Sequence, residues 1–230
     1  MDQSLYTLAA AAGYGEARLA VLANNLANAN TPGYKADQLR FTEVLDAATQ
    51  TPGVRMDQFL TDATGPMQQT GNPLDVAIVG DGFFVVDTPE GPRFTRDGGF
   101  RLGADGMLVN GSGHPVMGEG APIAIDPQAG QITVQGDGTV LADGVAAGRI
   151  DVVTFPDAPP RKAGGNLFTG TGETPLELPK VLQGSLEGSN VEAVLEMTRM
   201  IEISRGYETY QKLIQAMDQV AGQTNNLGTV

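Results

Sequence analysis

The sequence predicts an α+β fold: long N- and C-terminal helices packed as a coiled coil, with a central antiparallel β-rich domain. Three observations lead there. Glycine and proline are segregated, with 3 Gly and 1 Pro in residues 1–35, 25 Gly and 13 Pro in 36–188, and 3 Gly and no Pro in 189–230. Both ends carry apolar residues at helical spacing, and the middle carries Asp-Gly and Asn-Gly turn dipeptides between short β-prone runs. The boundaries that follow are a terminal helical assembly domain at 1–35 and 189–230, a linker or extended hairpin at 36–71, and a β domain at 72–188.

At the N-terminus, Leu5, Leu8, Ala12, Gly15, Leu19, Leu22 and Leu26 follow a 3-4-3-4 spacing, one stripe of a helix. Asp2 can cap its start, and Thr31-Pro32-Gly33 ends it, because Pro disfavours the helical region for the residue before it. A helix over about residues 3–29 would be about 40 Å long. Between Gln3 and Ala29 the only charges are Glu16 and Arg18. A solvated helix carries a charged outer face, so this one is expected to be covered, by neighbouring subunits rather than by its own chain. Asn24, Asn25 and Asn28 are expected to hydrogen-bond between packed helices and set register.

At the C-terminus the stripe is Met200, Ile203, Tyr207, Tyr210, Ile214, Met217 and Ala221, widened by Val194, Met197 and Ile201. Ser189 and Glu192 have capping-box spacing. Acid-first pairs at Glu196–Arg199, Glu202–Arg205 and Glu208–Lys212 leave one solvated face. The aromatic and Met stripe is read as packing on the N-terminal helix. The assembly interface is therefore expected at Leu5, Leu8, Leu19, Leu22, Asn24, Asn25, Leu26, Asn28, Met200, Ile203, Tyr207, Tyr210, Ile214 and Met217.

In the middle, Asp-Gly recurs at Asp81, Asp97, Asp105, Asp137 and Asp143, and Asn-Gly at Asn110. Flanked by β-prone runs, these are hairpin signals. They suggest a sandwich or barrel over about 72–183.

The chemistry-bearing signals are sparse. The chain has no cysteine, which excludes disulfides and thiolate metal sites. Its one histidine, His114, sits in a Gly-Ser-Gly-His-Pro turn with nothing linking it to a nucleophile. With 27 acidic residues, two near each other mean nothing by themselves. Gly-x-Gly at Gly80, Gly111 and Gly118 opens no helix and reads as turns. No enzyme activity, cofactor or metal is expected. A net charge of −13 argues against a phosphate grip, and no stretch is apolar enough for membrane insertion. The first thirty residues do not fit a cleaved signal peptide: Ala27-Asn28-Ala29 resembles a cleavage site, but no basic residue precedes Arg18.

Three stretches together resemble the bacterial flagellar rod and hook family. They are Ala23-Asn24-Asn25-Leu26-Ala27-Asn28 with Thr31-Pro32-Gly33-Tyr34-Lys35; Asn72–Val86 with Phe94-Thr95-Arg96-Asp97-Gly98; and Gln183-Gly184-Ser185-Leu186-Glu187-Gly188-Ser189-Asn190-Val191 leading into Met197–Tyr207. The opening Met1-Asp2 with Leu5-Tyr6-Thr7 and the ending Asp218, Ala221-Gly222 and Asn226-Leu227 are most like the proximal-rod type, with the distal-rod or hook type second. The resemblance implies a structural axial subunit whose terminal helices form the inner tube of a hollow filament and transmit torque from motor to hook. It implies as partners other rod and hook proteins, copies of itself and the flagellar type III export apparatus. It implies a location in the basal body, in the part of the rod that crosses the periplasm, reached without a cleaved signal. Two other classes fit less well: a surface binding module on a multimerising helical stalk, and a wall-degrading enzyme with an acid pair in a cleft.

Overall fold

The computed structural model describes residues 2–45, 52–61 and 63–227, with side chains described over 12–40, 59–61, 63–217 and 219. Two compact units emerge. The first comprises Met1–Ala27, Asp37–Gln58 and Glu192–Val230; the second comprises Asn28–Ala36 and Phe59–Val191.

The first unit holds the two helices found among the described residues, α1 (Asp2–Ala27) and α2 (Ala193–Leu227). The strands Asp37–Leu45 and Pro52–Leu60 pair as a two-stranded sheet. Helix α1 stops as expected before Pro32: Thr31 N–H donates to the Asn28 carbonyl at 3.1 Å, closing a turn that the proline cannot extend. Helix α2 starts later than the capping-box spacing suggested. The Ser189 hydroxyl accepts the Val191 N–H at 3.2 Å, which turns the chain locally, and the first helical bond runs from Glu196 N–H to the Glu192 carbonyl at 3.0 Å.

The expected fold class needs correcting. Nineteen strands stand against two helices among the described residues, so the molecule is predominantly β, and no coiled coil is shown. Within the described part of α1 only Gly15, Leu22 and Asn25 are buried, and within that of α2 only Glu196. The helices do touch: a Cβ placed on Gly15 would lie 3.6 Å from Tyr207 Cδ2. The physical reason for the missing seam is visible in that contact. A coiled coil needs a side-chain knob at each core position. Ala12 and Gly15 supply almost none, and Val194, Met197 and Ile201 point their bulk into solvent.

The second unit is built from antiparallel strands. A six-stranded sheet runs in the spatial order Arg161–Gly164, Leu167–Thr169, Gly91–Thr95, Phe83–Thr88, Val152–Thr154, Thr174–Pro175. Its strand Phe83–Thr88 shows the alternation that separates two faces. Phe84 and Val86 are fully buried in the main core with Val76, Ile78, Phe100, Leu108, Val116, Ile123, Val140 and Ile150. Phe83 and Val85 face a smaller cluster of Phe94, Val153 and Phe168. Edge-to-face ring pairs lock both faces, Phe84–Phe100 at 5.1 Å and Phe83–Phe168 at 5.2 Å between centroids. A three-stranded meander, Ile132–Val134, Thr139–Ala142 and Val145–Arg149, turns at Asp137-Gly138 and Asp143-Gly144. Asp143 at φ +50° and Gly144 at φ +83° have the paired positive φ of a two-residue hairpin turn.

Not every Asp-Gly makes a hairpin. Asp81-Gly82 and Asp97-Gly98 join strands of different sheets. Val76–Ile78, for example, pairs with Val181–Gln183 and not with the strand that follows it. Residues well before 72 also belong to this unit, since Met67–Gln69 pairs with Ser185–Glu187.

Candidate functional site: a buried charge knot and an uncovered helix flank

Glu187 is the centre of the most polar buried point in the second unit. It lies on the strand Ser185–Glu187, and its side chain is 1% exposed. One carboxylate oxygen accepts from Lys35 Nζ at 2.9 Å and from the Gly65 N–H at 3.0 Å. The other accepts from Arg96 Nε at 2.8 Å and also meets Arg96 Nη2. Lys35 donates in addition to the Ala63 carbonyl at 2.9 Å, and Arg96 Nη1 donates to the carbonyls of Gly80 and Gly82 at 2.9 and 2.7 Å. All three side chains are nearly inaccessible. Their charges are paired and most of their hydrogen-bonding capacity is met within the chain, which is the condition for keeping ions out of water.

The same knot clamps the segment that follows α1. Asn166, held at φ +60°, donates from Nδ2 to the Pro32 carbonyl at 2.7 Å. The Gly33 N–H donates to the Glu187 carbonyl at 2.7 Å, and Lys162 Nζ sits 3.8 Å over the Tyr34 ring. Asn190 serves two segments at once. Its Oδ1 accepts the Ala36 N–H at 2.7 Å, while its Nδ2 donates to the carbonyls of Thr61 and Ala63 at 3.2 and 2.9 Å. A cavity of about 570 Å³ opens beside the knot, with Lys35, Arg96, Thr61, Phe83, Phe155 and Pro160 in its wall.

The expected interface residues fall into three groups. Leu5 and Leu8 lie within α1, but their side chains are outside the described residues. Leu22 is buried, Leu19, Leu26 and Asn28 are half-buried, and Asn24 is exposed. On α2, Met200, Ile203, Tyr207, Ile214 and Met217 are half-buried, and Tyr210 is exposed. Asn25 is buried and engaged inside its own chain: its side chain holds both sides of the Asp37 backbone, and Nδ2 also reaches Glu196 Oε2 at 3.4 Å. Glu196 in turn binds Arg199 at 2.8 Å, one of the three expected helix pairs. Among the described large apolar residues of α2 the widening residues are the most exposed, with Val194 at 79%, Met197 at 49% and Ile201 at 55%. Spaced i, i+3, i+7, they share one flank of α2.

Sequence reasoning quoted Lys35, Arg96 and Glu187 inside its three motifs but did not single them out. The signal available was weak: Glu187 is an isolated charge within a run of Gly, Ser and Leu, whereas Arg96 is followed by Asp97 and Lys35 lies two residues before Asp37. His114 stays in its turn, where its N–H donates to Asn110 Oδ1 at 2.9 Å. No cluster of potential metal ligands occurs among the described residues.

Comparison with known proteins bears directly on the knot. Residues 5–35 match the family described as flagella basal body rod protein, residues 77–142 the flagellar hook protein FlgE/F/G D1 domain, and residues 182–227 the flagellar basal body rod FlgEFG protein C-terminal family. The flagellar basal-body rod protein FlgF of Caulobacter vibrioides is 39% identical, over 93% of this chain and 93% of its own. The chain belongs to the flagellar basal-body rod protein family. The FlgF protein of Salmonella typhimurium is 37% identical over 99% of this chain and 98% of its own. The rod protein FlgG of Agrobacterium fabrum is 34% identical over 90% and 92%. Seen against these rod-family segments, the knot takes one residue from each: Lys35 from the first, Arg96 from the second and Glu187 from the third.

Proposed function

We propose that this rod-family chain is a structural axial subunit of the flagellar basal body, closest in type to FlgF, that assembles through its terminal helices and carries torque from motor to hook. The observation that carries the assembly mechanism is the flank Val194, Met197 and Ile201, three large apolar side chains each with about half or more of its surface in water. Burying such a side chain from full exposure contributes about 1.5–3 kcal/mol, and each of these has about half or more of that still to gain, so contact with neighbouring helices is favourable. Leu5, Leu8, Leu19, Leu26, Met200, Ile203, Tyr207, Tyr210, Ile214 and Met217 supply the rest of the interface, and Asn24 and Asn28 its polar contacts, while Leu22 is covered within its own chain. A head-to-tail contact of this kind extends into a filament when its rotation does not close.

The partners in this account are other rod and hook proteins and further copies of the chain, with the flagellar type III apparatus as the exporter and no cleaved signal. We assign no catalytic group, no nucleic-acid partner and no membrane insertion; no helix among the described residues is long and apolar enough to cross a membrane. Fractionation of basal bodies from cells carrying a tagged copy tests the placement. The tag is expected in the rod fraction, and its exclusive recovery elsewhere would refute the placement.

A further inference from the structure

We propose that Lys35, Arg96 and Glu187 act together as a lock, positioning residues that hold the segment after α1 against the segment before α2. The geometry points there because every partner lies within the second unit. Residues 31–36 form a strap on that unit. Its Gly33 N–H and Lys35 side chain both terminate on Glu187, and its Tyr34 carbonyl and Ala36 N–H both terminate on Asn190. Glu187 and Asn190 are on the connection that leads into α2. Arg96 anchors Glu187 from the other side and is itself held by the carbonyls of Gly80 and Gly82. The segment after α1 and the segment before α2 are therefore bonded to each other, and Glu187 carries two of these bonds, one on its carboxylate and one on its carbonyl.

The lock is asymmetric in what it tolerates. Two buried cations share one anion, so removal of Glu187 leaves two positive charges without a counter-ion, whereas removal of Lys35 leaves the Glu187–Arg96 pair intact. Lys35 is thus the member whose loss frees the strap without dismantling the unit.

The test is amide hydrogen exchange on the purified full-length protein, with Lys35→Met, Lys35→Arg and Glu187→Gln beside the native chain. Lys35→Met is expected to speed exchange at Gly33 and Ala36 at least about 10-fold while Phe84 and Val86 in the core keep their native protection. Lys35→Arg, which restores the charge, is expected to recover most of the protection. Glu187→Gln is expected to free the strap and lower protection in the core as well. Unchanged exchange at Gly33 and Ala36 in Lys35→Met would overturn the lock, and so would equal acceleration of strap and core, which marks a merely global loss of stability. These readouts need no rod, so a failed lock and a failed assembly account are distinguishable.

Discussion

Gly33 packs its α-carbon directly on the Arg96–Asp97 peptide: a Cβ there would lie 2.4 Å from both the Arg96 carbonyl carbon and the Asp97 nitrogen, with φ at +66°. Both the conformation and the space demand glycine. Gly33→Ala is expected to destabilise the second unit by about 2 kcal/mol or more, combining left-handed strain with displacement of the strap. A urea melt of the variant should show a clearly lower midpoint; a native midpoint would show that the strap does not bear on Arg96.

Asn25 and Asp37 form a two-point clasp at the end of α1. Asn25 Nδ2 donates to the Asp37 carbonyl and Asn25 Oδ1 accepts the Asp37 N–H, both at 2.9 Å and both buried. Asn25→Ala leaves a buried donor and acceptor unsatisfied, an expected loss of about 2 kcal/mol. Asn25→Asp retains the acceptor but sets a carboxylate against the Asp37 carbonyl, and is expected to be no better. Exchange at the Asp37 amide checks this locally, and it should accelerate in Asn25→Ala, which removes its acceptor.

Asp97 gives the stability a pH dependence of known sign. Burial raises its pKa above the ordinary carboxylate value and the nearby Asp75 charge adds to the rise, against the lowering effect of the Gly99 N–H it accepts. The folded state then holds this proton more tightly than the unfolded state. The contribution of Asp97 to stability is greatest below the unfolded pKa, near 4, and falls as pH rises through the folded pKa. Asp97→Asn can still accept from Gly99 and carries no charge. Its stability relative to the native chain is expected to improve from about pH 3 toward pH 7, measured as the difference in urea midpoints. A difference independent of pH would contradict the assignment.

Much of the architecture was legible because it rests on local chemistry. Pro32 ended α1, the crowding of Gly and Pro between residues 36 and 188 marked the β-rich part, and Asp137-Gly138 and Asp143-Gly144 made the turns their dipeptides implied. What failed was non-local. Asp81-Gly82 looks like a hairpin turn, yet the strands beside it do not pair with each other: Val76–Ile78 pairs with Val181–Gln183, and Phe83–Thr88 with Gly91–Thr95 and the distant Val152–Thr154, and pairing at such range leaves no local trace. The heptads were read as a seam because spacing reports which residues share a stripe, not whether that stripe has a partner. Asn25 was expected to bond between helices, and its side chain does reach Glu196 on α2; its position on the stripe could not reveal that the Asp37 peptide also folds back onto it. The charge knot escaped for a similar reason. Lys35, Arg96 and Glu187 are 61 and 91 positions apart in succession, and only the fold shows that the two cations share the one carboxylate.

The central claim is that exposed apolar side chains of α2 meet neighbouring subunits in the rod. Ile201→Asp tests it most directly, because Ile201 is 55% exposed and belongs to neither buried core cluster. A carboxylate there costs little in water but several kcal/mol in a packed helix contact without a cation. The measurement is the amount of tagged Ile201→Asp protein recovered in purified basal bodies, set beside the native chain, with the urea midpoint of the soluble protein as the folding control. The account predicts a native midpoint and loss of incorporation. Native incorporation of a normally folded Ile201→Asp variant would contradict it.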